Sequence, residues 1–355
     1  MVNLAESSPF VPDGALSPDP FALAEQWGQR PRHSPVEALA GRSIVGHGNL
    51  DRDEVIDLCR LAALMEGVEV ATHHPLDGKL IVTAFFEPST RTRLSFESAA
   101  LRLDGKVLSV PDGRTTGVAK GESLADIGQM FNAYCDLVIM RHSQTDALAE
   151  LQTYLDRPVI NAGNGTGEHP TQALVDWYAL LKWRPSLVRH QVPEEDRLHL
   201  GIVGTPGNMR AVKSFVFQSL AFEPALRRIT IVSEMADPTG PELGAALDRS
   251  SVPVDITNDL SEVLPDLDVI YMNSIALLGD TYKTLDSRYR LTADSALRDN
   301  AVIMHPLARR DELSESLDDT HHNLYFAQAA GAVYLRQALL TAVLGRLDRL
   351  PFLKS

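Results

Sequence analysis

Apolar and polar positions fall along this chain in two rhythms. From Lys79 onward, short runs of apolar and β-branched residues alternate with segments whose apolar residues recur every three or four positions. The runs Leu80–Phe86, Lys106–Val110, Leu137–Met140 and Val159–Asn161 predict strands, each followed by a helix-period segment. A long helical pattern at Pro170–Trp183 leads into the charged, proline-containing stretch Arg184–Arg197, read as a domain junction. The alternation restarts with Leu198–Val203, Ile229–Val232, Val254–Ile256, Val269–Met272 and Ala301–Met304, and a last helical stretch, Leu324–Leu347, closes the chain. Such alternation is the signature of parallel sheets covered by helices. The expected fold class is α/β, with two domains, each a parallel sheet with helices on both faces.

The first forty residues break this rhythm. They hold six of the chain's 21 prolines and predict an extension, mostly loop, with one short helix around Phe21–Trp27. Asn49-Leu50-Asp51 then reads as the cap of a helix running to about Glu66. The expected layout is an extension over 1–40, a first domain over 41–183 and a second over 184–323, with the helix 324–347 packing back on the first. A chain of 355 residues exceeds what one hydrophobic core usually serves, which agrees with two domains.

Charge and cysteine content narrow the function classes. With 33 basic and 47 acidic residues the formal charge is −14, so neither nucleic acid nor an anionic membrane is an expected partner, although a small basic pocket remains open. Cys59 and Cys135 lie far apart in apolar segments, which predicts neither a disulfide framework nor a zinc cluster and fits a reducing cytoplasm. No apolar run reaches the roughly 18 residues of a membrane helix, and the N-terminus lacks the order of a signal peptide. The histidines form no H-E-x-x-H pattern, and His73-His74 and His321-His322 read as surface pairs, so no metal and no cofactor is expected.

In open parallel sheets, ligands bind where strands end and helices begin. Three strand exits here carry unusual residues. The first is Phe85-Phe86-Glu87-Pro88-Ser89-Thr90-Arg91-Thr92-Arg93. Cations in a first helical turn oppose the macrodipole at roughly 0.3–1 kcal/mol each, and a bound anion reverses that sign. The second is Asn161-Ala162-Gly163-Asn164-Gly165-Thr166-Gly167-Glu168-His169-Pro170-Thr171-Gln172, where His169 and Gln172 share one side of a helix start. The third is Ile303-Met304-His305-Pro306-Leu307-Ala308-Arg309-Arg310, whose proline turn offers carbonyl acceptors to an NH₂ group. Each alone also reads as an ordinary cap or strand exit.

Together, Ser89-Thr90-Arg91-Thr92-Arg93, His169-Pro170-Thr171-Gln172 and His305-Pro306-Leu307 resemble, in order and spacing, the aspartate/ornithine carbamoyltransferase family. Lys120-Gly121-Glu122-Ser123-Leu124-Ala125-Asp126 and Arg141-His142 are similar to it too, and the likeness runs from about residue 42 to the C-terminus. It implies transfer of a carbamoyl group from carbamoyl phosphate to an amine acceptor, in a homotrimer whose active sites are shared between neighbours. By position, Ser89, Thr90, Arg91 and Thr92 would hold the phosphate. Arg141, His169 and Thr92 would polarise the carbamoyl oxygen, as the catalytic residues. Gln172 and the carbonyls of Pro306 and Leu307 would hold the carbamoyl NH₂. Lys120, with Thr116 where relatives often carry serine, would reach in from the adjacent subunit.

The acceptor side departs from the family pattern. Arg210 falls where aspartate-type enzymes place a carboxylate-binding arginine, but Ala211 follows it in place of the usual threonine. Those enzymes then have Met-Thr-Arg-x-Gln, with arginine and glutamine clamping the second carboxylate; this chain has Met272-Asn273-Ser274-Ile275-Ala276. A buried carboxylate without its partner loses roughly 3–5 kcal/mol. The expected acceptor is therefore an amine that keeps one carboxylate for Arg210 and lacks aspartate's second, unless Lys283, Arg288 or Arg290 substitutes. Ordinary aspartate carbamoylation is the alternative. From other classes, a non-catalytic scaffold of the same fold stays open. A nicotinamide-dependent oxidoreductase fits poorly, because Gly201, Gly204 and Gly207 do not make G-x-G-x-x-G.

Overall fold

The computed structural model describes residues 19–27, 35–68, 70–273 and 287–353. It has two compact units, one of Asp19–Leu174 with Ala332–Ser355 and the other of Val175–Gly331. Both are parallel α/β structures.

The first unit opens with helices α1 (Pro20–Gln26) and α2 (Arg52–Gly67). Asp51 caps α2: it accepts the Glu54 N–H at 2.9 Å, while Glu54 accepts the Asp51 N–H at 3.0 Å. Leu23, Ala24 and Trp27 of the proline-rich segment are buried, so this part of the expected extension belongs to the unit's core. Then come β1 (Leu80–Phe85), α3 (Thr90–Arg102), β2 (Lys106–Val110), α4 (Leu124–Tyr134), β3 (Leu137–His142), α5 (Ala147–Gln152), β4 (Val159–Asn164) and α6 (Pro170–Trp183). The four strands are parallel in the order β2-β1-β3-β4. The order reverses between β1 and β3, and Phe85 at the end of β1 lies in register with Arg141 of β3.

The second unit holds β5 (Leu198–Val203), α7 (Arg210–Leu220), β6 (Leu226–Val232), α8 (Gly240–Arg249), β7 (Val254–Thr257), α9 (Leu260–Val263), β8 (Val269–Met272) and β9 (Val302–Met304). Its parallel sheet runs β7-β6-β5-β8-β9, reversing between β5 and β8. Every residue of β5 is buried, as expected of a strand covered on both faces. Trp177 stacks on Phe222 at 3.9 Å and Phe215 on Tyr271 at 4.5 Å against this sheet. A carboxylate, Asp176, is fully buried nearby, accepting Tyr271 Oη at 2.8 Å and Gln328 Nε2 at 2.5 Å.

The last helix, α10, spans Tyr325–Val343, shorter at both ends than the stretch expected. In the first unit the Arg336 guanidinium bonds to Ser95 and lies 4.6 Å from the Phe96 ring, and the Gly41 N–H donates to Val343 O at 2.8 Å. By contacts the two units divide inside α6 and inside α10. Most of α6 beyond Gln172 is buried. No described helix is long and apolar enough to cross a membrane.

Candidate active site

At the switch point of the first sheet, β1 delivers the loop Phe86–Ser89 beside the end of β3. The Phe86 N–H donates to Arg141 O at 2.9 Å, which closes the loop against β3. Arg141 in turn donates from Nη2 to Glu87 at 2.9 Å and from Nη1 to Ala162 O at 3.4 Å, so its guanidinium is aimed by two strand exits. Ser89 is the N-cap of α3, yet its side chain makes no capping bond. The first-turn N–H groups of such a helix are a ready anion site.

The glycine-rich loop after β4 brings the histidine to the same place. Asn161 Oδ1 accepts the Gly163 N–H at 2.7 Å, and Asn164 Oδ1 accepts the Glu168 N–H at 2.8 Å. These bonds let the loop turn without a sheet partner, and it ends on His169 just before Pro170 opens α6. His169 is buried, with Nε2 3.4 Å from Thr92 Oγ1 and Nδ1 3.3 Å from Thr171 Oγ1. Thr92 is buried as well. Gln172 lies one turn into α6, its N–H donating to His169 O at 2.9 Å.

The cations divide into two kinds. Arg93 is committed to the fold: its Nη1 lies 3.1 and 3.2 Å from the two Glu97 oxygens and 3.2 Å from Ser109 Oγ. Arg91 has no ion pair among the described residues, and partial burial draws its pKa below the ordinary arginine value. Lys120, exposed at the end of a 3₁₀ turn Gly117–Lys120, likewise has no ion pair among them. Thr116 Oγ1 donates to Gly113 O at 2.7 Å in the same loop.

In the second unit, the switch point lies between β5 and β8. Gly204, at φ +126°, leads from β5 into a 3₁₀ turn Pro206–Asn208, and Arg210 is the first residue of α7. At the exit of β9, His305 is buried and fixed on three sides. Its N–H donates to Gln328 Oε1 at 3.0 Å, its Nδ1 accepts the Leu307 N–H at 2.8 Å, and its Nε2 lies 3.0 Å from Glu312 Oε1. Because Nδ1 accepts, the ring proton sits on Nε2 and faces the carboxylate. Burial works against ionised Glu312, but the bond from His305 and backbone N–H donors outweigh it and hold its pKa below the ordinary value. Leu307 adopts φ +56°, next to a cis peptide to Ala308.

The structure thus brings Thr92 against His169, with Arg141 at the end of β3, the strand paired with β1, and Ser89, Thr90 and Arg91 at the helix start that follows β1. Arg210, Pro306 and Leu307 occupy strand exits of the second unit. Ser274, Ala276 and Lys283 lie outside the described residues. Arg288 does not wait for a ligand: its Nη2 pairs with Glu234 at 2.6 Å. That pair also occupies the carboxylate at the end of β6 on which a dinucleotide reading would depend. Cys59 and Cys135 are buried and form no disulfide. Among the described residues no three His, Cys, Asp or Glu side chains group as a metal site would.

Sequence reasoning missed the two carboxylates that orient this machinery, Glu87 and Glu312. Glu87 stands inside the first motif, and its place before Pro88 at a strand exit was the available signal. Its partner lies 54 residues away, so only the sheet order reveals the pair.

Comparison with known proteins agrees along both units. The carbamoyl-P binding domain of aspartate/ornithine carbamoyltransferases matches residues 42–182, and the Asp/Orn binding domain matches residues 196–343. The aspartate carbamoyltransferase catalytic subunit of Picrophilus torridus is 37% identical over 290 residues, which cover 79% of this chain and 90% of that protein. That of Methanopyrus kandleri is 34% identical over 318 residues, covering 87% and 99%. The structure of aspartate transcarbamoylase from Trypanosoma cruzi with carbamoyl aspartate and phosphate has a TM-score of 0.76 at 28% identity, covering 87% of this chain and 98% of that one. Its complex with N-(phosphonacetyl)-L-aspartic acid scores 0.75 at 29% identity, covering 87% and 97%. With both domains matched in order, and with relatives above 30% identity over most of its length, the chain belongs to the aspartate/ornithine carbamoyltransferase family.

Proposed function

We propose that this carbamoyltransferase carbamoylates the amino group of aspartate, releasing phosphate. The observation that carries the chemistry is Thr92 against His169, with Arg141 at the end of the adjoining strand and a helix start whose arginine, Arg91, has no ion pair among the described residues. The aspartate reading rests on the relatives, which are named aspartate carbamoyltransferases.

In this mechanism Ser89, Thr90, Arg91 and Thr92 hold the phosphate of carbamoyl phosphate. The neutral amine attacks the carbamoyl carbon, a C–N bond forms, and negative charge grows on the carbamoyl oxygen. Arg141, His169 and Thr92 donate to that oxygen; a single donor of this kind is worth about 10²–10³ in rate. The C–O bond to phosphate then breaks and the phosphate takes the amine proton, so no further protein base is needed. Gln172 holds the carbamoyl NH₂, as do the carbonyls of Pro306 and Leu307 from the second unit, and Arg210 takes an acceptor carboxylate. Glu87 serves as a positioning residue for Arg141.

We assign Lys120 and Thr116 to the site of a neighbouring copy in a homotrimer. Leu94 and Leu101, one α-helical seven-residue step apart, are 49% and 61% exposed, and Leu108 on the edge strand β2 is 45% exposed. Leu94 and Leu101 border one groove on α3, an exposed apolar strip suited to contact with a second copy. We place the enzyme in a reducing cytoplasm, the setting that its two widely spaced cysteines fit.

A second reading keeps the chemistry and changes the acceptor. It is favoured by Ser274 and Ala276, which replace the arginine and glutamine of the aspartate-type pattern. Phosphate release and product mass, measured with aspartate, ornithine and amines bearing a single carboxylate, separate the two. Efficient turnover of aspartate supports the first reading. Turnover only of a monocarboxylate amine, with aspartate activity gained in Ser274→Arg, supports the second. Silence with every amine, in a protein that binds carbamoyl phosphate, overturns both in favour of a scaffold.

A further inference from the structure

The edge of the second sheet opposite its strand exits carries a feature that carbamoyl transfer does not use. The N-terminal ends of β5, β6 and β8 and the approach to β9 surround a cavity of about 600 Å³ lined by His199, Arg227, Arg228, Pro265, Asp266 and Arg298. Two consecutive residues of a regular strand point to opposite faces. Arg227 and Arg228 nevertheless both line the cavity, because the β5–β6 register shifts there: Leu198 pairs with Leu226 but His199 pairs with Arg228. The shift makes Arg227 the extra residue of a bulge, a device that re-aims side chains.

Several guanidiniums crowd one buried carboxylate. Buried Asp268 accepts Arg298 Nη1 at 2.7 Å, Arg227 Nη2 at 3.3 Å and the His199 N–H at 2.8 Å, with Arg184 at 4.0 Å. Neutralising one carboxylate needs one guanidinium, and here three converge. Arg228 adds a fourth beside them, tied to half-exposed Asp255 at 2.6 Å. The arginines oppose one another. Burial is the main cause that lowers the pKa of Arg184 and of His199; Asp268 and Asp196 work against it at Arg184, while Arg298 and Arg227 add to it there and Arg227 and Arg228 add to it at His199. Nor does His199 point a free nitrogen into the space: Nε2 meets Thr230 Oγ1 at 2.7 Å and Nδ1 meets Asp266 O at 3.2 Å. Arg227, Arg228 and Arg298 stay 40–48% exposed at the side chain, each guanidinium with N–H donors beyond its one bond. Three guanidiniums with donors to spare thus face one concave space, beside the exposed carboxylate of Asp266.

Planar guanidinium forks match phosphate oxygens two at a time, and a cavity of this size takes a small metabolite. We propose that this cavity binds a small anion bearing adjacent phosphate groups, held by Arg227, Arg228 and Arg298. It is a second anion site, apart from the strand exits where phosphate is released.

Calorimetric titration with pyrophosphate and, separately, with a nucleoside diphosphate tests this on the full chain at low salt. The proteins compared are wild type, Arg91→Gln, Arg228→Gln, Arg298→Gln and a control on an exposed arginine outside the cavity lining, Arg249→Gln. Binding is expected to survive in Arg91→Gln and Arg249→Gln, and to weaken about tenfold or more in Arg228→Gln and Arg298→Gln, as loss of one charge-assisted bond implies. Carbamoyl transfer without added anion should be unchanged in the last two variants. If Arg298→Gln melts earlier, Arg228→Gln decides, since its partner Asp255 is half exposed and Asp268 keeps its other donors. Equal affinity for both probes means that the phosphates alone are read; tighter binding of the nucleotide means that the cavity also takes its organic part. Absence of binding, or binding lost in Arg91→Gln and retained in Arg228→Gln, overturns the proposal.

Discussion

Glu312 offers a sharp test of how the exit of β9 is held. It and His305 are 2% and 1% exposed at the side chain, and Glu312 Oε1 accepts from both His305 Nε2 and the Arg310 N–H, each at 3.0 Å. In Glu312→Ala both donors lose their acceptor inside the protein, which at about 1–3 kcal/mol for each unsatisfied donor costs about 2–6 kcal/mol. Glu312→Gln keeps an oxygen and loses only the charge. The difference between a charge-assisted and a neutral hydrogen bond puts that loss at about 1–1.5 kcal/mol. Urea unfolding followed by tryptophan fluorescence reads this order, because Trp177 stacks in the same unit. The sign with pH follows from the lowered pKa of Glu312. Its contribution is fully present above the unfolded carboxyl value, and is lost as pH falls through the lower folded value. The gap between wild type and Glu312→Gln should therefore narrow between pH 6 and pH 3.5. Function should follow the geometry: Leu307 sits at φ +56° with its N–H on His305, so loosening His305 frees the carbonyls assigned to the carbamoyl NH₂. KM for carbamoyl phosphate should rise in both variants, more in the alanine. Equal midpoints for the three proteins, or a gap that stays constant with pH, would refute the reasoning.

Three further outcomes are expected. Arg141→Ala should lower kcat by about 10²–10³, measured as carbamoyl transfer under saturating substrates. Gly207→Ala should destabilise by roughly 1–3 kcal/mol and raise KM for the acceptor, because a Cβ there would land on the backbone carbonyl of Thr239, which cannot give way. A matching loss of stability without a KM change would separate this turn from Arg210. Burial pushes the Cys135 thiol up to about 11 and that of Cys59 higher still, so neither should react with a disulfide reagent at pH 8 until the chain is unfolded.

The apolar rhythm located the strands of the described residues, most of them because a parallel strand covered on both faces must be apolar, while the largely exposed edge strands β2 and β7 were read from their β-branched runs. It misjudged their ends for the same reason. The sequence reading stops β3 at Met140 and β4 at Asn161, whereas the ladders continue through Arg141-His142 and to Asn164. Those polar residues lie at the sheet edge, where backbone pairing persists and side chains turn toward the site. The start of β6 at Leu226 was hidden likewise, because Arg227 and Arg228 look unlike a strand until the register shift is seen. Helix starts were legible through their caps, and the arginine-bearing start of α3 stood out through its wrong sign for the macrodipole. Pairings such as Glu87 with Arg141, or Asp268 with Arg298, depend on which strands become neighbours. Spacing along the chain does not encode that.

The first unit is discontinuous in the chain, with Ala332–Ser355 completing what Asp19–Leu174 begins. Synthesis proceeds at about 5–20 residues per second, so the intervening segment emerges for many seconds before the closing helix exists. Arg336 over Phe96 and the Gly41–Val343 bond can form only after nearly the whole chain is made. The continuous Val175–Gly331 unit can mature first. The earlier-translated unit is thus the later one to finish, and a ribosome that stops shortly after Gly331 would leave the carbamoyl-phosphate half of the enzyme without its last helix while the acceptor half stands complete.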